Sequence, residues 1–145
     1  MKVLVQKVLS SKVEVDNNII GEINSGLLLL VGFTHSDTSK EIDYMVDKVI
    51  NLRIFDDENG IMNKSLLDVN GSILSVSQFT LYADSTKGRR PSYINALNGE
   101  EATILYDEFN RKLKQRGIIV QTGVFGADMK ISLVNDGPIT IMLEK

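Results

Sequence analysis

The stretch that decides the fold is Gly26-Leu27-Leu28-Leu29-Leu30-Val31-Gly32-Phe33, which contains no charged or polar side chain. A short apolar run of this kind is typical of a β-strand that other elements cover on both faces. The run is far too short to cross a bilayer. It therefore predicts a central, fully covered strand, around which the rest of the chain is arranged.

Upstream of this strand the sequence predicts a hairpin or meander. Apolar residues alternate with polar ones in the opening segment and again over residues 12–16, as in a strand with one covered face. Asn17-Asn18 then favours a turn, and it leads into the apolar pair Ile19-Ile20.

Two segments have the period of a helix. Thr38 and Glu41 have the spacing of a capping box, and Asn98 with Glu101 marks a second start, while Gly117 follows its end. The residues predicted to face inward are Ile42, Met45, Val46 and Val49 in the first helix and Ala102, Leu105, Phe109 and Leu113 in the second.

Further strands are predicted at residues 53–55, 72–79, 118–122, 130–134 and 139–143. Strands interspersed with two substantial helices, without a linker or repeat, indicate an α/β fold. We expect residues 1–145 to form a single domain of mixed β-sheets layered with two main helices, in the order sheet, sheet, helix.

Composition excludes several kinds of site. The chain has no cysteine, so it can have neither a disulfide nor a thiolate nucleophile, and its one histidine, His35, cannot build a multi-histidine metal site. His35 follows the central strand and is predicted to be a solvated loop residue. The amino terminus lacks the pattern of a secretion signal, and we expect a cytoplasmic protein that does not associate with membranes.

The net charge of −3 argues against broad, charge-driven wrapping of nucleic acid, and no DNA partner is expected. Recognition of one short single-stranded end stays compatible with it. The strongest basic cluster is Lys87-Gly88-Arg89-Arg90. Such a loop is either simply solvated or in contact with phosphate, and composition leaves both readings open.

Two polar segments attract attention because no familiar catalytic signature is present. Ser77-Gln78-Phe79-Thr80-Leu81 follows a predicted strand, and the simplest interpretation is a strand end with capping hydroxyls. Asn135-Asp136-Gly137-Pro138-Ile139-Thr140 contains the residues that favour turns, which predicts a tight turn between two strands.

Together, however, these two segments resemble the signature motifs of the D-aminoacyl-tRNA deacylase family. Three further segments resemble family segments in family order: Leu52–Phe55, Gly88–Ser92 and Gly123–Met129. The resemblance covers essentially the whole chain. It implies an enzyme that hydrolyses the ester of D-aminoacyl-tRNA, and also glycyl-tRNA, as proofreading in translation.

The resemblance also implies how the site is built. The family is a homodimer with its active site at the subunit interface, where the Gly137-Pro138 loop, with a cis peptide bond, enters a pocket lined by Ser77, Gln78, Phe79 and Thr80 of the other subunit. Phe125 and Met129 would bind the amino group and the adenine of the tRNA 3′ end. No metal or organic cofactor is implied.

One position departs from the family pattern. The chain has Lys7 where the family commonly has an arginine that braces the Gly-Pro loop. Lysine keeps the positive charge but loses the planar fork that can hold two carbonyl groups at once.

Two other classes of function stay open at this point. The protein could be a non-catalytic module that binds the tRNA end, or a hydrolase of small D-amino acid esters or amides. For the chemistry, an attacking water helped by the 2′-hydroxyl of the terminal adenosine is favoured over a Thr80 nucleophile, because no base is visible beside Thr80.

Overall fold

The computed structural model describes residues 1–145, and its elements follow one another as β1 Lys2–Val15, β2 Asn18–Ile23, β3 Gly26–Gly32, α1 Ser39–Asn51, β4 Phe55–Asp56, β5 Met62–Lys64, β6 Ser72–Ser77, α2 Gly99–Gln115, β7 Val120–Thr122 and β8 Lys130–Glu144. A short 3-10 helix, Phe79–Tyr82, follows β6. Six strands form one mixed sheet, while β4 and β5 form a separate two-stranded ladder. The predicted α/β class with two main helices is confirmed.

Strand β1 organises the sheet because it is long enough to pair with three others. Its first half pairs antiparallel with β3, its second half pairs antiparallel with β2, and β8 runs antiparallel along almost its entire length. The β1–β2 connection turns at Asp16 and Asn17, which both have positive φ. The predicted hairpin is therefore confirmed, with its turn one residue earlier.

The central strand β3 separates two apolar cores, as a strand covered on both faces must. Leu27 and Leu29 belong to a large core that includes residues of both helices, whereas Leu28 belongs to a smaller core with residues of β1, β2 and β6. Strand β2 contacts both β6 and β7, so the single six-stranded sheet folds back over the smaller core, while the helices pack against the larger one. The two parts of this sheet and the helices give the predicted order of sheet, sheet, helix.

Both helices begin close to their predicted residues. Thr38 and Glu41 form the expected capping box at the start of α1. Asn98 occupies the N-cap position of α2 without a side-chain capping bond, and Leu105 is only partly buried, whereas Tyr106 is buried in the core. No helix is long and apolar enough to span a membrane.

Four of the predicted strands need correction. The strand predicted to end at Phe79 ends at Ser77, because the backbone then tightens into the 3-10 helix. Only Phe55 of residues 53–55 is in a strand. The strands predicted at 130–134 and 139–143 are one strand, β8, which continues past the Asn135–Thr140 motif.

Candidate active site

A cleft of about 280 Å³ lies beyond the carboxyl ends of β3 and β6. These strands are parallel neighbours, with Val31 paired to Ser77, so their ends meet at one edge of the sheet. Clefts at this edge are the usual ligand sites of α/β sheets. The side chains and backbone that line it belong to Val31, Gly32, Phe33, Val76, Ser77, Gln78, Phe79, Leu97, Ala102, Phe125, Gly126, Ala127, Asp128, Met129 and Ile131.

Three of the four residues predicted to be catalytic line this cleft, namely Ser77, Gln78 and Phe79. The fourth, Thr80, is exposed next to them, and its Oγ1 accepts a hydrogen bond of 2.5 Å from the side-chain amide of Gln78. No carboxylate or imidazole bonds to the Thr80 hydroxyl. His35 instead lies 3.0 Å from the backbone oxygen of Ile94 and does not line the cleft.

The start of the 3-10 helix supplies backbone donors at the same place. Phe79 and Thr80 are its first two residues, so their N–H groups have no partner within that helix. Gln78, just before them, is tied to β3 because its N–H donates to the Val31 carbonyl at 2.7 Å. The segment is therefore held against the sheet while Phe79 and Thr80 follow at the cleft.

Phe125 and Met129, to which the resemblance assigns substrate binding, line the cleft from the segment after β7. The Phe125 ring packs on Tyr106 with centroids 5.8 Å apart, and the Tyr106 hydroxyl donates to the Ser75 carbonyl at 2.8 Å. Burial raises the pKa of the Tyr106 phenol above its ordinary value, so the group stays a neutral donor.

Met129 reaches the cleft across Gly123. A Cβ on Gly123 would lie 2.5 Å from the Met129 sulfur, closer than packing allows, so this glycine makes room for the methionine. The segment Gly123–Met129, which resembles a family segment, thus contains a glycine needed for packing as well as residues that line the cleft.

The Asn-Asp-Gly-Pro motif forms a bulge within β8. Asn135 pairs with Val8 and Thr140 pairs with Gln6, so residues 136–139 leave the ladder opposite a single residue of β1. Gly137 and Pro138 are exposed at this bulge, and the peptide bond between them is cis. Gly137 has φ +113°, a backbone conformation that residues with a side chain rarely adopt.

Asn135 closes the base of the bulge. Its side-chain amide donates to the carbonyls of Lys7 and Ile139, each at 2.9 Å, and its Oδ1 accepts from the Thr140 hydroxyl at 3.2 Å. One side chain therefore satisfies two carbonyls that the interrupted ladder leaves without strand partners.

Lys7 lies directly under the bulge and is only 7% exposed. Its ammonium group is 3.1 Å from a carboxylate oxygen of Asp136 and 3.5 Å from one of Asp56, and 5.6 Å from the centre of the Phe55 ring. Lys7 thus links the bulge to the neighbouring β4–β5 ladder.

The structure does not bring all the predicted site residues together within one chain. Ser77, Gln78, Phe79, Phe125 and Met129 share the cleft with Thr80 beside it, whereas Gly137, Pro138 and Lys7 do not line it. No group of three or more His, Asp or Glu side chains could hold a metal ion.

Sequence reasoning missed several residues of the cleft. Val31 and Phe33 at the end of the central strand, and Leu97 before α2, form its apolar wall. The sequence does show that β3 and β6 are both covered strands, and this could have indicated the apolar wall. Their ends meet at one edge, however, only if the two strands are parallel neighbours. Nothing local in the sequence specifies that pairing.

Comparison with known proteins gives a consistent result. The family model described as D-Tyr-tRNA(Tyr) deacylase matches residues 4–144. Proteins named D-aminoacyl-tRNA deacylase from Clostridioides difficile (strain 630) and Clostridium tetani (strain Massachusetts / E88) are 57% and 59% identical over 144 residues, which cover 99% of this chain and 97% of each relative.

Solved structures show the same fold. A chain described as c-Myc DNA Unwinding Element Binding Protein matches with a TM-score of 0.94 and 40% identity, covering 100% of this chain and 99% of its own. A probable eukaryotic D-amino acid tRNA deacylase matches with a TM-score of 0.84 and 19% identity, covering 98% and 97% respectively, which shows a shared fold. The chain belongs to the D-Tyr-tRNA(Tyr) deacylase family, whose reaction, hydrolysis of D-aminoacyl-tRNA, is the one that its motifs predict.

Proposed function

We propose that the chain, acting as a single domain of residues 1–145, deacylates D-aminoacyl-tRNA at a site shared by two subunits. The cleft of one subunit receives the aminoacylated 3′ end, and the residue 136–139 bulge of its partner enters the same cleft. The observation that carries this proposal is the separation, within one chain, of the cleft from an exposed, internally braced bulge.

The outer surface of β8 favours a homodimer. This strand pairs only with β1, so its other edge has free backbone groups. Val134 and Met142 on it are 52% and 47% exposed. A long edge strand with exposed apolar side chains is a surface that a second copy would cover.

The stereochemistry of the substrate explains why a rigid bulge is useful. L- and D-aminoacyl esters have the same atoms, so a pocket that grips the side chain separates them poorly. A site that holds the amino group and carbonyl can instead place the Gly137 and Pro138 carbonyls where an L side chain would point. Glycine has no side chain to reject, so glycyl-tRNA is also a substrate.

For the reaction, a water molecule attacks the ester carbonyl and the Phe79 and Thr80 N–H groups stabilise the oxyanion. The bond between the acyl carbon and the ribose oxygen then breaks, a proton from the water passes to that ribose oxygen, and the free amino acid and tRNA leave. The 2′-hydroxyl of the terminal adenosine assists. Water is favoured over Thr80 as nucleophile because the Thr80 hydroxyl contacts only the neutral amide of Gln78.

Phe125 and Met129 provide the apolar surface for the adenine and the approach to the amino group. Both line the cleft together with the Ser77–Phe79 segment, which supports a substrate held by the two segments. The reaction needs no metal or organic cofactor, and the cytoplasm, where aminoacyl-tRNA is used, is the proposed location.

Cysteine cross-linking tests the shared site sharply because the natural chain has no cysteine. We expect a protein carrying Pro138→Cys and Ser77→Cys to form a covalent dimer on mild oxidation. Mixing the two single variants should give a cross-linked heterodimer, seen on a non-reducing gel at about twice the 16.1 kDa of the chain.

The control replaces Ser77→Cys by Asn59→Cys, an exposed position in the turn before β5, and should not cross-link to Pro138→Cys. Deacylase activity of wild-type protein together with only monomeric products in every oxidised mixture would contradict the shared site while leaving the reaction in place.

A further inference from the structure

The loop between Asp84 and Ser92 carries the basic cluster Lys87, Arg89 and Arg90, to which the catalytic account assigns no role. None of these three cations lies within ion-pair distance of a carboxylate, although most other lysines of the chain are paired. Asp84, the acidic residue at the start of the loop, instead accepts hydrogen bonds from the Thr86 N–H and hydroxyl. The positive charge of the loop is therefore uncompensated.

The loop is also closed at its base. The backbone N–H of Asp84 donates to the Ser92 carbonyl and the N–H of Ser92 donates to the Asp84 carbonyl, both at 2.8 Å. These two bonds hold the cations on a short loop whose ends are fixed relative to each other.

An exposed aromatic surface separates this loop from the cleft. Tyr93 follows the loop directly, and its ring meets the Phe79 ring edge-on with centroids 5.2 Å apart. Tyr93 and Phe79 are 42% and 51% exposed, and the neighbouring Ile94 is 77% exposed. Phe79 itself lines the cleft. A continuous surface therefore runs from the cleft over the rings of Phe79 and Tyr93 to the three unpaired cations of the loop.

We propose that this surface, from Phe79 through Tyr93 to the Lys87–Arg90 loop, holds the single-stranded 3′ end of the tRNA next to the adenosine in the cleft. Exposed aromatic rings bind unstacked bases, and lysine and arginine side chains bind the backbone phosphates. The inference rests on the proposed function, since it extends the substrate out of the proposed cleft.

Two substrates distinguish tRNA binding by this surface from ester hydrolysis in the cleft. D-tyrosyl-tRNA contains the phosphates of the 3′ end, whereas 2′(3′)-O-D-tyrosyl-adenosine ends at the nucleoside. We expect Lys87→Gln/Arg89→Gln/Arg90→Gln to lower kcat/KM for the tRNA substrate by about fortyfold or more at 50 mM salt. Its kcat/KM for the adenosine ester should stay within about twofold of wild type.

The salt dependence gives a second readout. Each phosphate contact to a single strand contributes a slope of about −0.7 in a plot of log affinity against log salt, so losing three makes the slope shallower by about 2. Measured as kcat/KM at subsaturating tRNA, wild-type activity should fall roughly 15–20-fold more than that of the variant between 50 and 200 mM salt.

The matched control is Lys40→Gln/Lys48→Gln/Lys145→Gln, which removes the same charge from cations on and beside α1 that are likewise free of carboxylates and do not line the cleft. It should leave tRNA hydrolysis unchanged. An equal loss in both variants, or a loop variant that changes only the oligomeric state, would overturn the inference. If the wild-type protein hydrolysed neither D-tyrosyl-tRNA nor the adenosine ester, the proposed function would be overturned, and this inference with it.

Discussion

At the scale of single residues, the position of Thr80 bears most directly on the chemistry. Its hydroxyl accepts from the Gln78 amide, and neither a carboxylate nor an imidazole is bonded to it. An unactivated hydroxyl is a weak nucleophile. In the proposed mechanism the backbone N–H of Thr80, by contrast, stabilises the oxyanion whatever the side chain is.

Thr80→Ala should therefore keep a substantial fraction of wild-type kcat for D-tyrosyl-tRNA. Loss of an activated nucleophile typically costs several orders of magnitude in rate. Single-turnover kinetics on the variant, with circular dichroism to verify its fold, distinguish the two cases. A folded Thr80→Ala protein with essentially no activity would favour a covalent mechanism.

Lys7 replaces the arginine that is common in the family, yet it still anchors the bulge. The buried ammonium group contacts carboxylates of Asp136 and Asp56 on two different elements. A point charge can serve this arrangement, whereas an arginine could also fork to two carbonyls. The brace under the bulge is therefore ionic in this chain.

Removing the charge with Lys7→Met should weaken deacylation of D-tyrosyl-tRNA by about tenfold or more, because the bulge loses its anchor. Asp136 and Asp56 are partly exposed and can rehydrate, so unfolding should become easier by only about 1 kcal/mol, a fall in Tm of roughly 2–4 °C. Lys7→Arg is the control and should keep activity near wild type. Equal activity of Lys7→Met and wild type would refute the brace.

At the scale of elements, the bulge in β8 explains why its motif was interpreted as a turn between two strands. Asn, Asp, Gly and Pro do favour turns, and the backbone does leave the ladder between Asn135 and Thr140. Both flanking segments nevertheless pair with the same strand, β1, so the chain keeps its direction. Pairing partners are long-range information, which turn propensities do not contain.

Asn135→Ala tests the bulge as an element. The substitution leaves the Lys7 and Ile139 carbonyls without their donor, which should cost about 1–3 kcal/mol of stability. We expect a larger effect on selectivity: the ratio of D- to L-tyrosyl-tRNA hydrolysis should fall by at least about tenfold, because the loop is no longer held. Asn59→Ala, in an exposed turn, is the control, and an unchanged ratio in Asn135→Ala would contradict this role.

Local patterns were sufficient for the helices and for most strands. The capping box at Thr38 and the apolar stripe of α1 appear in the structure as predicted. The cleft was predicted only through the motif at Ser77–Thr80, since its apolar wall depends on β3 and β6 being parallel neighbours. Tyr106, which supports Phe125, is buried although it was not among the residues predicted to face inward from α2.

At the scale of the whole molecule, the layered fold separates two tasks. One edge of the sheet provides the cleft that would hold the ester, and the edge strand β8 provides the bulge that would exclude an L side chain. A single subunit has both parts but does not bring them together. Under this account, selectivity is a property of the dimer rather than of any one side chain.

The most direct test compares D-tyrosyl-tRNA, L-tyrosyl-tRNA and glycyl-tRNA under identical conditions with the wild-type protein, following release of the free labelled amino acid. Because the proposed filter only excludes a side chain in the L direction, D-tyrosyl-tRNA and glycyl-tRNA should both be hydrolysed while L-tyrosyl-tRNA is spared. Comparable rates for the D and L esters, or complete protection of glycyl-tRNA at high enzyme concentration, would contradict the account.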